Sequence, residues 1–168
     1  VEERAREALT QVGLDEKLWQ QSPFELSGGQ KRRVAIAGVL AMHPEVLILD
    51  EPTAGLDPKG RDEILDEISA LHRDRHMTII LVSHSMEDIA RYADRIMVMN
   101  HGEKVFDAPP KEVFRHYKEL EAIGLAAPQI TYIVQGLKEH GVPIADDITT
   151  VAEAKDAILQ LLGKDERP

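Results

Sequence analysis

The sequence contains no cysteine, so disulfides, thiolate nucleophiles and cysteine-ligated metal sites are excluded. Long hydrophobic runs are also missing. The apolar runs at residues 46–49 and 79–82 are only four residues long, whereas a helix that spans a bilayer needs about 20. Any role at a membrane is therefore expected to come through a partner protein.

Basic residues are outnumbered: 20 Lys and Arg stand against 30 Asp and Glu, for a net charge of −10. Free nucleic-acid binding depends on Lys and Arg neutralising phosphates. We therefore expect no nucleic-acid partner. Hydrophobic residues make up 43% of the chain, and this ordinary content with charges of mixed sign is typical of a folded protein.

Apolar runs alternate with helical patterns in the first part of the chain. Val46–Leu49 and Met77–Val82 are predicted to be strands buried on both faces of a parallel sheet. Ile96–Met99 predicts a third strand, and Lys104–Phe106 a hairpin return strand. The helix between the first two strands carries an apolar stripe at residues 64, 65, 68 and 71. The pattern predicts an α/β fold with a mostly parallel sheet.

The pattern changes at Pro109-Pro110, beyond which it is helical only, at about 111–117, 129–140 and 151–162. We therefore predict two domains. Residues 1–107 form an α/β domain, and residues 108–168 form a small helical appendage.

The segment Ser27-Gly28-Gly29-Gln30 opens a helix that runs to about Met42. The start of a helix exposes unpaired N–H groups with a partial positive charge, and glycines let a bulky ligand approach the backbone. Phosphate is the ligand expected at such a site. The plainer interpretation is that Ser27 is only an N-cap.

Three basic residues, Lys31, Arg32 and Arg33, follow in the first turns of this helix. Cations are normally unfavourable there. We expect an anion or an acidic partner nearby, unless the three residues are simply a solvated face.

Two carboxylates, Asp50 and Glu51, end the first predicted strand. Ligands of open α/β sheets collect at the carboxyl ends of strands. Because side chains alternate along a strand, neighbouring carboxylates point differently and can take two roles. One can orient hydrated Mg²⁺ and the other can position a water. In isolation, such a pair is often only a solvated turn.

The next predicted strand ends just before His84, at the same edge of the sheet. Asp57, which precedes Pro58, is predicted to be the N-cap of the intervening helix. A lone histidine is more often structural or exposed than catalytic, so neither residue identifies a function alone.

Taken together, these segments resemble the ATP-binding subunits of ABC transporters. Leu26–Gln30, followed by Lys-Arg-Arg-Val-Ala-Ile-Ala, matches the signature motif of that family. Asp50-Glu51 matches the Walker B motif, Ala54–Asp57 the D-loop, and His84 the H-switch. The resemblance implies the C-terminal portion of a RecA-like nucleotide-binding domain. It implies ATP and Mg²⁺ as ligands, with nucleotide contacts from Ser27, Gly28, Gly29 and Gln30.

The resemblance also implies roles for the acidic residues and the histidine. Glu51 would orient or deprotonate the attacking water, and His84 would steady the transferred phosphoryl group. Asp50 would hold Mg²⁺ through water, and Asp57 would face a second ATPase subunit.

Residues 108–168 resemble the C-terminal extension of energy-coupling factor ATPases, which drive uptake of vitamins or of cobalt and nickel. The resemblance implies two partners, a second ATPase subunit and a transmembrane subunit. It also implies a peripheral location at the cytoplasmic face of the cell membrane. Ile130, Val134 and Leu137 would lie either at a subunit interface or inside the appendage.

The phosphate-binding G-x-x-x-x-G-K-[ST] motif is absent from the sequence. The resemblance therefore covers only the C-terminal part of the family's domain. We expect the chain alone to hydrolyse ATP poorly or not at all, and its sheet to have exposed edges. Two alternatives stay open: a soluble ABC ATPase that acts on DNA or ribosomes, and a non-enzymatic association module.

Overall fold

The computed structural model describes residues 1–163 and divides into two compact units, Val1–His84 and a second that begins at Ser85. The domain boundary predicted at 107/108 follows the sequence motifs, and that division stays a prediction. The elements of the first unit are α1 (Glu2–Gln11), a 3₁₀ helix (Glu16–Leu18), α2 (Gly28–Leu40), β1 (Val46–Asp50), α3 (Pro58–Arg75) and β2 (Thr78–Val82).

Helix α3 begins and ends at residues suited to those positions. Asp57 caps it by accepting a hydrogen bond from the Gly60 amide at 3.0 Å, and Pro58 occupies the first helical position. The helix ends at His76, which has a left-handed φ of 51°. The N-cap predicted at Asp57 is confirmed.

The core of the first unit lies between its three helices and the inner side of β1. The apolar stripe predicted for α3 is buried, as is Leu47 of β1. The buried apolar residues of this unit are Ala8, Val12, Leu14, Leu26, Ile36, Ala37, Leu40, Leu47, Ile64, Leu65, Ile68, Leu71 and Met77.

Strands β1 and β2 pair in parallel, with Val46 opposite Thr78 and Asp50 opposite Val82. The prediction that both strands are buried on both faces is wrong. Their outer face leaves four apolar side chains exposed by 46–65%, and we call it the open sheet face: Val46, Ile48, Ile80 and Val82. The physical reason is that the described residues place helices against one side of this pair only.

The two strand pairs form separate two-stranded sheets, one parallel and one antiparallel. Within residues 1–163, β1 and β2 therefore each have one edge without a neighbouring strand, as the sequence predicted. Every helix in this range is too short or too polar to cross a lipid bilayer.

The second unit starts with a helix and a hairpin and continues as helices. Its elements are α4 (Met86–Tyr92), β3 (Ile96–Asn100), β4 (Glu103–Ala108), α5 (Pro110–Arg115), α6 (Tyr117–Ala122), α7 (Gln129–Glu139) and α8 (Val151–Leu161). The hairpin and the predicted helices are confirmed, and α6 is an additional short helix. His101 and Gly102 both have positive φ, at 49° and 82°, as a two-residue type I′ turn requires.

Two apolar clusters hold the second unit together. The first joins the hairpin to α5 and α6 around Phe114, which is 2% exposed. The second lies around Val134 between α7 and α8, with Ile130 and Leu137 packed against it. Of the two alternatives for these three residues, the structure supports packing inside the appendage.

Polar contacts fix the start of α8 on α5. The Glu153 carboxylate accepts hydrogen bonds from the Thr149 and Thr150 amides at 3.0 and 3.2 Å, and it pairs with Lys111 at 2.8 Å. Burial raises the pKa of Glu153, but Lys111 and these amides outweigh it, and the pKa lies below its ordinary value.

The ends of the β3–β4 hairpin are held by Asp107, whose carboxylate accepts hydrogen bonds from Arg95 and Lys104. These two cations lower the pKa of Asp107 from 3.8 to about 2. The side chain of Asp107 is 13% exposed, while those of its partners are largely in solvent.

The contrast between the two faces of β1 predicts a contrast between neighbouring substitutions. Leu47→Thr should lower the free energy of unfolding of the first unit by about 2–4 kcal/mol, because it empties core volume and buries a hydroxyl. Ile48→Thr should cost less than about 1 kcal/mol, since Ile48 is 65% exposed and threonine keeps the β-branch. Urea unfolding followed by fluorescence of Trp19, the only tryptophan, measures both. Equal losses would contradict the open sheet face.

Asp107 predicts a loss of stability in acid. Its pKa is lowered on folding, so its contribution is present above about pH 4 and disappears as the pH falls towards 2. Asp107→Asn should therefore lose less stability than the parent chain between pH 4 and pH 2. All three tyrosines lie beyond residue 84, so their ring-proton NMR signals during urea unfolding report on the second unit. Parallel pH profiles for the two chains would refute the role of Asp107.

Candidate functional site

Helix α2 starts with a capping box. The Ser27 hydroxyl accepts a hydrogen bond from the Gln30 amide at 3.3 Å, and the Gln30 side chain accepts one from the Ser27 amide at 2.8 Å. Gly28 and Gly29 occupy the first two helical positions. Their amides have no carbonyl one turn earlier to bind within the helix, so they remain available to a ligand.

Packing among the described residues gives no reason for the two glycines. Neither has a positive φ. A Cβ built at Gly28 meets no atom of the described residues within 4 Å, and one at Gly29 makes only an ordinary contact with Leu56 at 3.8 Å. Glycine weakens a helix relative to alanine by about 0.5–1 kcal/mol. Glycine at both positions leaves the backbone at the start of α2 open to close approach.

The start of α2 shares a cavity of about 520 Å³ with the loop that leads into α3. The structure thus brings the predicted nucleotide-contacting residues together with Asp57. The residues that line it include Ser27, Gly28, Gly29, Gln30, Gly55 and Asp57.

A second group forms at the carboxyl ends of β1 and β2. The Glu51 amide donates to the Val82 carbonyl at 2.9 Å, which places the end of β1 beside the segment that leads to His84. His84 Nε2 lies 3.6 Å from Glu51 Oε1, too far for a hydrogen bond. The side chain of His84 is 91% exposed, against 31% for Glu51.

Glu51 Oε1 is buried and has no hydrogen-bond partner among the described residues. A buried polar atom without a partner is costly, so such atoms in native proteins call for a specific explanation. An acceptor that hydrogen-bonds a water or ligand during a reaction is one. Glu51 also has a left-handed φ of 46°, which is unusual for a residue other than glycine.

Asp50 lies on the side of β1 that carries the open sheet face, and it is exposed. The described residues contain no group of three His, Asp or Glu side chains placed to hold a metal ion. A single carboxylate acting through water fits Mg²⁺ nonetheless, because this ion commonly keeps several waters and takes further ligands from substrate phosphates.

The basic residues at the start of α2 behave differently from one another. Arg33 donates to the Gly13 carbonyl at 3.1 Å and pairs with Glu63 and Glu67 at 2.9 and 3.1 Å, so the expected acidic partner is present. Burial raises the pKa of Glu67, although Arg33 opposes it. Lys31 is exposed.

Arg32 has a role that the sequence analysis did not anticipate. Its guanidinium donates to the Glu51 carbonyl at 2.6 Å and to the Ala54 carbonyl at 3.2 Å. It therefore connects α2 to the loop after β1. The available signal was its spacing: Arg32 follows Gly28 by four residues and so lies on the same helix face.

Residues 1–54 match the family model described as "ABC transporter". The chain is 59% identical over 164 residues to the energy-coupling factor transporter ATP-binding protein EcfA2 of Clostridium tetani, a match that covers 97% of this chain and 57% of that protein. The EcfA2 protein of Caldanaerobacter subterraneus is 58% identical, with 96% and 57% covered. The chain thus spans little more than half the length of these relatives.

Solved structures of two ABC proteins are also similar. One is cbiO1 from Clostridium perfringens, described as part of the ABC transporter complex cbiONQ. It is 40% identical, with a TM-score of 0.64, over 80% of this chain and 53% of that one. The other is the dimeric structure of MJ0796, a bacterial ABC transporter cassette. It is 34% identical, with a TM-score of 0.56, over 64% of this chain and 46% of that one.

The open surroundings of Gly28 predict that folding tolerates alanine at the start of α2. Gly28→Ala should leave the free energy of unfolding unchanged or raise it by up to about 1 kcal/mol, because alanine is the better helix former and meets no neighbour. Ser27→Ala is the contrasting change, since it removes the cap and should cost about 1 kcal/mol. Urea unfolding followed by Trp19 fluorescence compares them. A Gly28→Ala chain less stable than the Ser27→Ala chain would restore a folding explanation for the glycine.

Proposed function

We infer that this chain, a relative of the ATP-binding subunits of ABC transporters, is the C-terminal part of a subunit that hydrolyses ATP to drive an energy-coupling factor type importer. The observation that carries this proposal is the buried, unbonded Glu51 Oε1 beside His84. A carboxylate held at the end of a parallel strand, with an imidazole next to it, suits the activation of a water.

Each predicted residue has a chemical task in this proposal. Glu51 orients the attacking water and accepts its proton. The exposed imidazole of His84 donates a hydrogen bond to the phosphoryl group as its charge develops. Asp50 would hold Mg²⁺ through water, and that ion, when bound, would neutralise charge on the phosphates.

The start of α2 binds the phosphates of the nucleotide rather than taking part in the chemical step. The Ser27 hydroxyl and the amides of Gly28 and Gly29 bind phosphate oxygens, assisted by the partial positive charge of the helix end. In the family that the chain resembles, the signature motif of one subunit faces the phosphate-binding loop of the other. We therefore propose that this half-site contacts a nucleotide held mainly by a second ATPase subunit, which Asp57 also faces.

The remaining partners follow from the same proposal. A transmembrane subunit would bind the solute, and the ATPase subunit would lie peripherally at the cytoplasmic face of the membrane. In this proposal, ATP hydrolysis supplies the free energy and the solute is the molecule transported. The negative net charge supports this assignment over a role on nucleic acid.

Activity measurements on two forms of the protein test the proposal. The chain of 168 residues alone should show little or no steady-state ATP hydrolysis. A longer subunit in which a phosphate-binding loop precedes these residues should turn over ATP. There, Glu51→Gln should lower kcat about 100-fold or more, because it removes the general base while keeping the shape of the side chain.

Glu45→Gln is the matched control, since it makes the same change at an exposed position just before β1. It should leave kcat unaltered. Equal activity in the Glu51→Gln and parent subunits would contradict the proposal. So would turnover by the isolated chain at ordinary enzyme rates that Glu51→Gln abolishes, because the half-site assignment would then be wrong.

A further inference from the structure

Arg32 makes the one side-chain hydrogen-bonding connection that the described residues show between α2 and the loop after Glu51. Nη1 donates to the Glu51 carbonyl at 2.6 Å and Nη2 to the Ala54 carbonyl at 3.2 Å. The two nitrogens of one planar group thus hold both ends of a four-residue turn. Lysine, with a single point charge, cannot reproduce such a two-pronged contact.

The turn that Arg32 holds has an unfavourable backbone conformation. Glu51 has a φ of 46°, and left-handed residues other than glycine are strained. Its carbonyl also accepts a hydrogen bond from the Ala54 amide at 3.1 Å. The positively charged guanidinium that donates to this carbonyl stabilises the conformation, since hydrogen bonds from charged donors are stronger than those from neutral donors.

Arg32 is itself held in place by its helix. The neighbouring Arg33 fixes α2 to α3 through Glu63 and Glu67, and the capping box at Ser27 fixes the first turn. The guanidinium therefore extends from a rigid base to the carbonyl of the residue that carries the reactive carboxylate. A displacement of the start of α2 would therefore move the Arg32 guanidinium and, through it, the backbone of Glu51.

We propose that Arg32 is a positioning residue for Glu51: it stabilises the left-handed backbone at Glu51 and thereby sets the direction of the Glu51 carboxylate towards His84. It touches backbone only, and therefore acts through Glu51. Its catalytic consequence rests on the proposed function, whereas its structural consequence can be measured on this chain by itself.

Amide hydrogen exchange of the chain tests the structural part. Arg32→Ala should speed exchange of the Ala54 amide by roughly fivefold to tenfold, because the turn loses two hydrogen bonds from a charged donor. Arg32→Lys should give an intermediate rate. Lys31→Ala removes the same charge from an exposed neighbour and should change nothing at Ala54.

Arg33→Ala provides the second control, because it should destabilise the whole first unit without selectively freeing this turn. An Ala54 exchange rate that rises equally in the Arg32→Ala and Lys31→Ala chains overturns the proposal. So does a rise in Arg32→Ala that is matched by all amides of α2, since the arginine would then be a general structural residue.

Kinetics of the longer subunit test the catalytic part. Arg32→Ala should lower kcat roughly tenfold or more with KM for ATP little changed, and Arg32→Lys should restore part of the loss. In a subunit that already carries Glu51→Gln, Arg32→Ala should cause little further loss, because both changes act on one group. Independent, multiplicative losses would refute action through Glu51.

These outcomes separate the two proposals. If the Ala54 amide responds to Arg32 but Glu51→Gln leaves turnover intact, the proposed function fails while the structural link stands. If Glu51→Gln abolishes turnover and Arg32→Ala changes neither exchange nor kcat, the function stands and Arg32 has no positioning role.

Discussion

The parallel pairing of β1 with β2 is the constraint on which the candidate site depends. Its register sets Asp50 opposite Val82, and the Glu51 amide continues the ladder by donating to the Val82 carbonyl. Because both strands run in the same direction, the residues that follow them emerge at one edge. A carboxylate and a histidine more than thirty residues apart in the chain thereby come within 3.6 Å. A slip of one residue would turn the side chains of β1 to the opposite face of the sheet and so displace the turn that carries Glu51.

Features encoded by local sequence were predictable. The capping box at Ser27, the N-cap and proline at the start of α3, and the two-residue turn after β3 each depend on residues within four positions of one another. The apolar stripe of α3 depends on helical periodicity alone. Such features need no knowledge of the rest of the fold, and the similarity to ABC proteins supports the fold class drawn from them.

Features that depend on what packs against an element were not predictable in the same way. A continuous apolar run indicates a strand with partners on both sides, yet Ile48 is exposed while Leu47 is buried. The sequence of a strand indicates which of its side chains can be buried, whereas their actual burial depends on which elements pack against them. Arg32 escaped prediction for a related reason: its partners are backbone carbonyls, and these have no sequence pattern.

The open sheet face and the ordered site can coexist because they rely on different interactions. The direction of Glu51 follows from the β1–β2 ladder, from the turn at residues 51–54 and from Arg32, and none of these needs the outer face of the sheet to be covered. The start of α2 likewise relies on its own capping box and on the pairing of Arg33 with α3. Hydrogen bonds and close ion pairs are short in range, so they fix the site locally. The free energy gained from apolar burial is instead proportional to the area that is buried. Uncovering one face of the sheet therefore lowers stability without displacing the carboxylate.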